Sequence, residues 1–284
     1  MADDRRALIA WAQAAPLAAV FVVFFLLPLA LIVMVSFWRA TDYELIPAFT
    51  LQSYADLLNE VTLRTYFSTL KFCALVWALT LLIGFAVAYF LAFHVRSTLW
   101  QTVLFVLCTV PFWTSNVIRM VAWIPLLGRN GLVNDALLAA GLVRRPLEWL
   151  LFSDFAVVLA FVHLYTMFMI VPIFNSMMRI DRSLIEAARD AGAGAWQTVR
   201  HVVLPLSRTG ILIGSIFIVA LVMGDFITVG VMGGQQIASV GKTIQVQAGV
   251  LQFPAAAANA VVLLAAVLLM VAAMLRTVDL RKEL

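Results

Sequence analysis

Apolar side chains in this chain gather into long unbroken runs rather than alternating with polar ones. Six runs, residues 14–38, 66–95, 102–127, 155–174, 209–232 and 255–275, stand out. Each is close to the ~20 residues that a helix needs to cross ~30 Å of hydrocarbon. Backbone amides in lipid have no water to bond, so runs of this kind must satisfy themselves as helices. The period-two pattern of a membrane β-barrel is missing. Pro28 predicts a kink in the first run, which is too long, and lacks the small-residue cleavage site, to be a removable signal peptide. The pattern predicts an all-α membrane protein with six transmembrane helices.

Composition narrows the function classes. Of 284 residues, 64% are hydrophobic and 12% charged, against roughly 45–50% apolar and about 25% charged in a soluble domain. A chain of this size has too little interior to hide so much apolar surface, which excludes a soluble enzyme and a disordered chain. The net charge of +4 comes without a long Lys/Arg run, so nucleic acid is not an expected partner. Cys73 and Cys108 lie inside apolar runs and read as small buried hydrophobes. No Cys/His cluster has metal-ligand spacing and no Ser/His/Asp or Cys/His set suggests nucleophilic chemistry; no metal, cofactor or catalytic residue is expected.

The distribution of charge predicts orientation. With the N-terminus in the cytoplasm, eleven of the nineteen Lys and Arg residues fall on inner segments and six on outer ones, leaving Lys71 and Arg119 within runs. That excess places both termini in the cytoplasm. Three regions follow: a cytoplasmic segment 1–13, a membrane domain 14–275 and a cytoplasmic tail 276–284. The first, with Asp3, Asp4, Arg5 and Arg6 beside Leu8, Ile9 and Trp11, is open to two readings, an interfacial helix or a frayed end. In an outer loop, Asn134 is a possible N-cap for a short helix ending at Gly141.

One inner loop, residues 175–208, is long and highly charged. Asp181 or Ser183 can cap a helix beginning near Leu184, and Gly192 with Gly194 supplies a turn. A second helical stretch, 195–203, should end before Pro205, which biases Leu204 away from helical geometry. Leu184, Ile185, Ala188, Ala191, Trp196, Val199, Val202 and Val203 could rest on the bundle, leaving Glu186, Arg189, Asp190 and Arg200 facing the cytoplasm. Glu186-Ala187-Ala188, then Gly192, then Leu204-Pro205 reproduce a spacing that resembles the EAA signature of permease subunits of ATP-binding-cassette (ABC) importers, with Val202 where that family usually has Ile. The resemblance implies a type I ABC importer permease fold in which this loop is a coupling helix. Glu186, Ala187, Ala188, Gly192, Leu204 and Pro205 would then engage a dimer of ATPase subunits. It also implies a second permease subunit, an extracytoplasmic solute-binding protein, and a bacterial inner membrane around the assembly. The segment from Gln236 to Thr243 ends like a phosphate-binding loop but has Gln236 in place of the first glycine and falls on an outer loop, so ATP hydrolysis belongs to a partner.

Polar groups at membrane depth are few and costly, which marks them as functional or paired. Arg119 and Asp225 are open to two readings, a structural ion pair or positions on the solute path; Lys71 is near enough to an end to snorkel. Trp113, Trp123 and Tyr165 are further candidates for the path, and His163 for a helix-contact hydrogen bond. Gly210 and Gly214 suggest a close helix seam. Three further stretches (Arg119 to Asn134, Gly224-Asp225-Phe226 with Met232-Gly233-Gly234, and Thr50 to Tyr54) are similar to permeases of spermidine/putrescine-type importers. That similarity implies a polyamine delivered by a binding protein docking near Asp42, Glu44, Asp135 and Glu148. The alternatives are an importer permease for another small solute (an amino acid derivative, a phosphonate or an organic ion) or an ATP-independent secondary transporter; the inverted repeats of the latter are not seen.

Overall fold

The computed structural model of the chain describes residues 13–41 and 44–276. The N-terminal segment up to residue 12, Asp42, and the tail beyond Arg276 lie outside the described residues. The chain is helical: α1 (Gln13–Val35), α2 (Glu60–Tyr89), α3 (Thr98–Thr109), α4 (Asn116–Val121), α5 (Ile124–Leu127), α6 (Leu132–Ala139), α7 (Asp154–Met177), α8 (Arg182–Asp190), α9 (Ala195–Thr198), α10 (Arg208–Gly224), α11 (Ile227–Met232), α12 (Val240–Gly249) and α13 (Phe253–Leu275). Among the described residues the strand content is a two-residue pair, β1 (Arg39–Ala40) antiparallel to β2 (Leu45–Ile46).

Four stretches, Gln13–Val35, Glu60–His94, Glu148–Met177 and Phe253–Leu275, are each long and apolar enough to cross a membrane. The other two spans are bent pairs: Thr98–Trp113 meets Asn116–Ala139 at 91°, and Ala195–Leu206 meets Arg208–Gly224 at 69°. Two of the six expected spans are therefore not single helices. In run 102–127, Pro111 sits in a 3₁₀ turn, Val110–Trp113, and Thr114 and Ser115 turn extended with ψ of 154° and 139° before α4 begins. In run 209–232, α10 stops at Gly224 because Asp225 is extended, with ψ of 117°, and helix resumes only at Ile227. Run length measured the apolar content correctly and missed both breaks.

The described residues divide into two compact units, 13–63 with 243–264, and 64–242 with 265–276. In the first, Ser36 and Tyr54 share a 2.6 Å hydroxyl hydrogen bond and the rings of Phe37 and Tyr54 pack 5.4 Å apart, tying the end of α1 to the following loop. An apolar groove of about 360 Å³ runs between α1 and the start of α13, lined by Leu31, Ile32, Val35, Phe253 and Ala257.

The second unit is built on α7 and α10, which lie against each other along their length. Phe72 and Val76 of α2, Phe161, Met169 and Ile173 of α7, and Ile218 of α10 are all fully buried in it. Gly210 allows the approach of α7 and α10: a methyl there would stand 2.4 Å from the Pro172 carbonyl oxygen. At Gly214 a methyl would stand 2.6 Å from the Met169 sulfur, so the glycine pair forms a packing seam. Trp77 of α2 donates to Ser215 of α10 at 2.8 Å, and Lys71 pairs with Asp154, in the first turn of α7, at 2.7 Å. Lys71 thus has an ionic partner as well as a route to the surface.

Asn134 is not an N-cap. It is buried inside α6, whose N-cap is Gly131, and its amide donates to the Gly128 and Leu147 carbonyls while accepting the Leu147 N–H. Its side chain ties two loops together instead. Gly141 does close that helix, at φ +67°, with its N–H on Leu138 and that of Leu142 on Leu137.

Candidate functional site

The loop 175–208 folds as a helix, a glycine turn and a second helix. Asp181 caps α8 by accepting the Ser183 N–H at 2.9 Å, and this bond to its charged form lowers the carboxyl pKa below the ordinary 3.8. Gly192 ends the helix at φ +85°, with its N–H on the Arg189 carbonyl and that of Ala193 on Ala188. That is the six-to-one closure for which a left-handed residue is needed. Gly194 starts α9, where the Gln197 side chain reaches back to accept the Gly194 N–H at 2.9 Å. Between the two helices lies a cleft of about 370 Å³ lined by Ala188, Gly192, Gln197, Thr198 and His201.

None of the nine residues of α8 is buried. Of the apolar residues expected to rest on the bundle, Val203 is buried and Ile185, Ala188, Val199 and Val202 are half-buried. Leu184, Ala191 and Trp196 stand out instead, Leu184 48% and Trp196 73% exposed. Glu186 and Ala187 share that exposed surface. The second stretch also continues past the expected stop. A π turn, Val199–Val203, precedes Leu204, which keeps helical angles (φ −61°, ψ −46°), and the break falls at buried Ser207. The wider turn, closed by the Leu204 N–H on the Val199 carbonyl, gives Pro205 the room that a regular helix would deny it.

Inside the second unit, two broken helices and α7 bring polar residues together. At the α10–α11 break the Asp225 carboxylate accepts three hydrogen bonds: from the Tyr165 hydroxyl at 2.6 Å, the Thr228 hydroxyl at 2.6 Å and the Thr228 N–H at 2.8 Å. Capture of its own downstream N–H explains why Asp225 leaves the helix. A cavity of about 320 Å³ opens here, lined by Asn116, Met120, Tyr165, Gly224, Asp225 and Thr228, among others.

Arg119 lies beside this cavity without lining it. It is 8% exposed, hydrogen-bonds Asn116, and places its guanidinium 4.9 Å from the centre of the Phe112 ring. Its Nε and Nη1 are buried and have no acceptor. The structural ion pair between Arg119 and Asp225 is therefore absent: the acid is satisfied by hydroxyls and a backbone amide, whereas the base has only an amide and a ring and keeps two nitrogens unmet. Trp123 does not reach the cavity either, because its indole N–H donates to His163 Nδ1 at 3.0 Å with the rings edge-to-face. That contact gives His163 the helix-contact role expected of it. Trp113, at the end of its 3₁₀ turn, is 74% exposed and stands apart. The structure thus joins Tyr165 and Asp225, places Arg119 one residue contact away through Asn116, and leaves both tryptophans off the cavity wall. Asn116 and Thr228 were not among the expected site residues, although the three-residue step from Asp225 to Thr228 is a recognisable side-chain-to-backbone spacing.

Gly241 of the segment that ends like a phosphate loop is buried at the start of α12, where a methyl would meet the Gly224 carbonyl oxygen at 2.9 Å. Its packing against backbone is that of a helix contact. On the surface, Glu148 pairs with Arg129 at 3.5 Å.

Long apolar helices, two broken spans with a polar cavity at one break, and an exposed glycine-turned helix in a charged loop define a membrane permease. The chain belongs to the family of binding-protein-dependent transport system inner membrane components, which it matches over residues 80–281. It is 32% identical over 227 residues to the spermidine/putrescine transport system permease protein PotB of Salmonella typhimurium (strain SL1344), covering 80% of this chain and 78% of that one. It is 29% identical over 210 residues to the inner membrane ABC transporter permease protein YdcU of Escherichia coli (strain K12), covering 70% and 67%. In fold it is similar to a chain of a bacterial ABC transporter that imports the acidic polysaccharide alginate, with a TM-score of 0.75 and 17% identity over 97% of this chain and 96% of that one. The chain therefore has the type I ABC importer permease fold and is a transport component rather than an enzyme.

Proposed function

We propose that this chain forms half of the solute path of an ATP-driven importer for a polyamine such as spermidine or putrescine. It works with a second permease, two ATPase subunits and a solute-binding protein, and both its termini face the cytoplasm. The relatives named for spermidine and putrescine support the solute class, and the inner-side excess of Lys and Arg supports the orientation. Loop 175–208 is the coupling element: Glu186 and Ala187 lie on the face offered to an ATPase cleft, Ala188 packs behind them toward α9, Gly192 fixes the turn, and Leu204 and Pro205 carry displacement toward α10.

The observation that carries this reading is the exposure of α8 together with its closed glycine end, which makes a rigid knob without a cover of its own. Asp225 and Tyr165 offer an acid and an aromatic face to an ammonium group, while Arg119, Trp113 and Trp123 act near the path rather than on the cavity wall. The test is Glu186→Lys in the assembled transporter. Solute-driven uptake should fall at least tenfold with the chain still present in the membrane and the ATPase still able to hydrolyse ATP. Uptake at the wild-type rate would refute the coupling role. Binding of putrescine, spermidine, amino acids and organic ions to the cognate solute-binding protein tests the solute class separately.

A further inference from the structure

We infer that Arg119 and Asp225 are alternating partners. The guanidinium occupies the carboxylate in one state of the transport cycle, and a solute cation takes its place in the other. The inference rests on the polyamine reading of the path and adds to it an internal competitor for the same acid.

Two observations carry it. In the described state each charge is held by neutral groups. Three donors on Tyr165 and Thr228 hold the carboxylate, while Arg119 has Asn116, the Phe112 ring and two buried nitrogens without an acceptor. A buried guanidinium with two unused N–H groups is an unfinished arrangement, because buried donors and buried charges are both costly until met. Asn116, which holds the guanidinium, and Tyr165, which holds the carboxylate, line one cavity with Asp225.

The second observation is where the two residues sit. Arg119 is on α4, a six-residue helix that follows the extended Thr114 and Ser115; Asp225 is the extended residue between α10 and α11. α4 and α11 pack against one another, and α11 also packs on α7, which carries Tyr165. Each charge therefore borders a break in the helix, where a small change in two or three dihedrals moves a short rigid piece and leaves the long α7–α10 seam intact.

The chemistry of the exchange is electrostatic. When α4 and α11 close, Nε and Nη1 reach the carboxylate and displace the Tyr165 hydroxyl. When an ammonium group of the solute arrives at Asp225 it repels the guanidinium back toward Asn116 and Phe112. A filled path and a closed pair are then mutually exclusive.

The test uses the whole transporter, with its ATPase, partner permease and binding protein, in lipid nanodiscs. Solute-independent ATP hydrolysis is measured for Arg119→Gln, Asp225→Asn and the charge-swapped pair Arg119→Asp with Asp225→Arg. The exchange predicts that hydrolysis without solute rises several-fold in each single variant and returns to the wild-type level in the swapped pair. A swapped pair no better than the single variants overturns it. Restoration by the swap, in a transporter whose wild-type form is stimulated by neither putrescine nor spermidine, keeps the exchange and overturns the polyamine reading. Arg119→Gln should also lower the KM for solute several-fold, and Arg119→Lys should restore it. Unchanged KM and ATPase in a folded Arg119→Gln transporter also count against the exchange.

Discussion

Gly192 holds φ of +85°, and a methyl built on it would meet no atom within 4 Å. Its requirement for glycine is therefore conformational rather than steric. Alanine in the left-handed region costs roughly 1–2 kcal/mol, enough to fray the end of α8. Gly192→Ala should reduce coupled uptake with membrane levels unchanged, and Gly192→Asn, which tolerates that geometry, should recover most of it. At the other end of the helix, Asp181 has its pKa depressed by the Ser183 N–H, so its contribution is complete at and above the ordinary carboxylate range. It is lost only as pH falls through the lowered value. Amide protection at Ser183, corrected for intrinsic exchange, should thus stay level from about pH 8 to about pH 5 and fall only in stronger acid. Asp181→Ala should remove it throughout. Tyr165→Phe deletes one of three donors to the Asp225 carboxylate; a hydrogen bond to a charged group is worth about 1.5–3 kcal/mol. The variant should change the KM for solute by several-fold more than it changes the ATPase rate.

At the level of the element, the seam between α7 and α10 is set by absent side chains. Gly210 faces the Pro172 carbonyl and the Ser176 β-carbon at distances that no side chain fits. Overpacking costs about 1–3 kcal/mol where neighbours can shift, and backbone shifts less readily than the end of a side chain. Gly210→Leu should lower the thermal midpoint of the purified transporter by several degrees, and Gly249→Leu, which has open space, should leave it unchanged. That seam was legible in advance from its four-residue spacing. The EAA loop was legible too, because Asp181 and the glycines act through the chain next to them and their geometry is local. The two helix breaks were not. Thr114 and Ser115 look unremarkable beside the apolar residues around them, and Asp225 reads as a costly charge until Thr228 is seen to supply it with two donors. Asn134 misled for a related reason: an asparagine that could cap a helix from within the sequence instead binds Leu147, thirteen positions away.

For the molecule as a whole, hydropathy carried most of the fold, since lipid leaves a backbone few alternatives to helix. It carried less of the site, because the cavity at Asp225 depends on α4, α7 and α11 meeting, which no single run encodes. The same separation applies to function. The described residues contain a polar cavity at a helix break and an exposed, glycine-closed helix; under the proposed function the energy source belongs to a partner. The chain reconstituted alone in liposomes should give no ATP-dependent uptake of putrescine, and uptake should appear only when the ATPase, second permease and binding protein are added. Solute accumulation by the chain alone would favour a secondary transporter.

The 69° elbow at Ser207 has a mechanical consequence. A straight rod pushed at one end only slides; a bent one acts as a crank, turning a thrust along its short limb into a sweep of the long limb. The Ser207 hydroxyl is buried and donates to the Val203 carbonyl at 2.6 Å, a back-bond of the kind that bends a helix, so the corner is set by the sequence at this residue. Loosening that corner would let the short limb move freely while the long limb stood still.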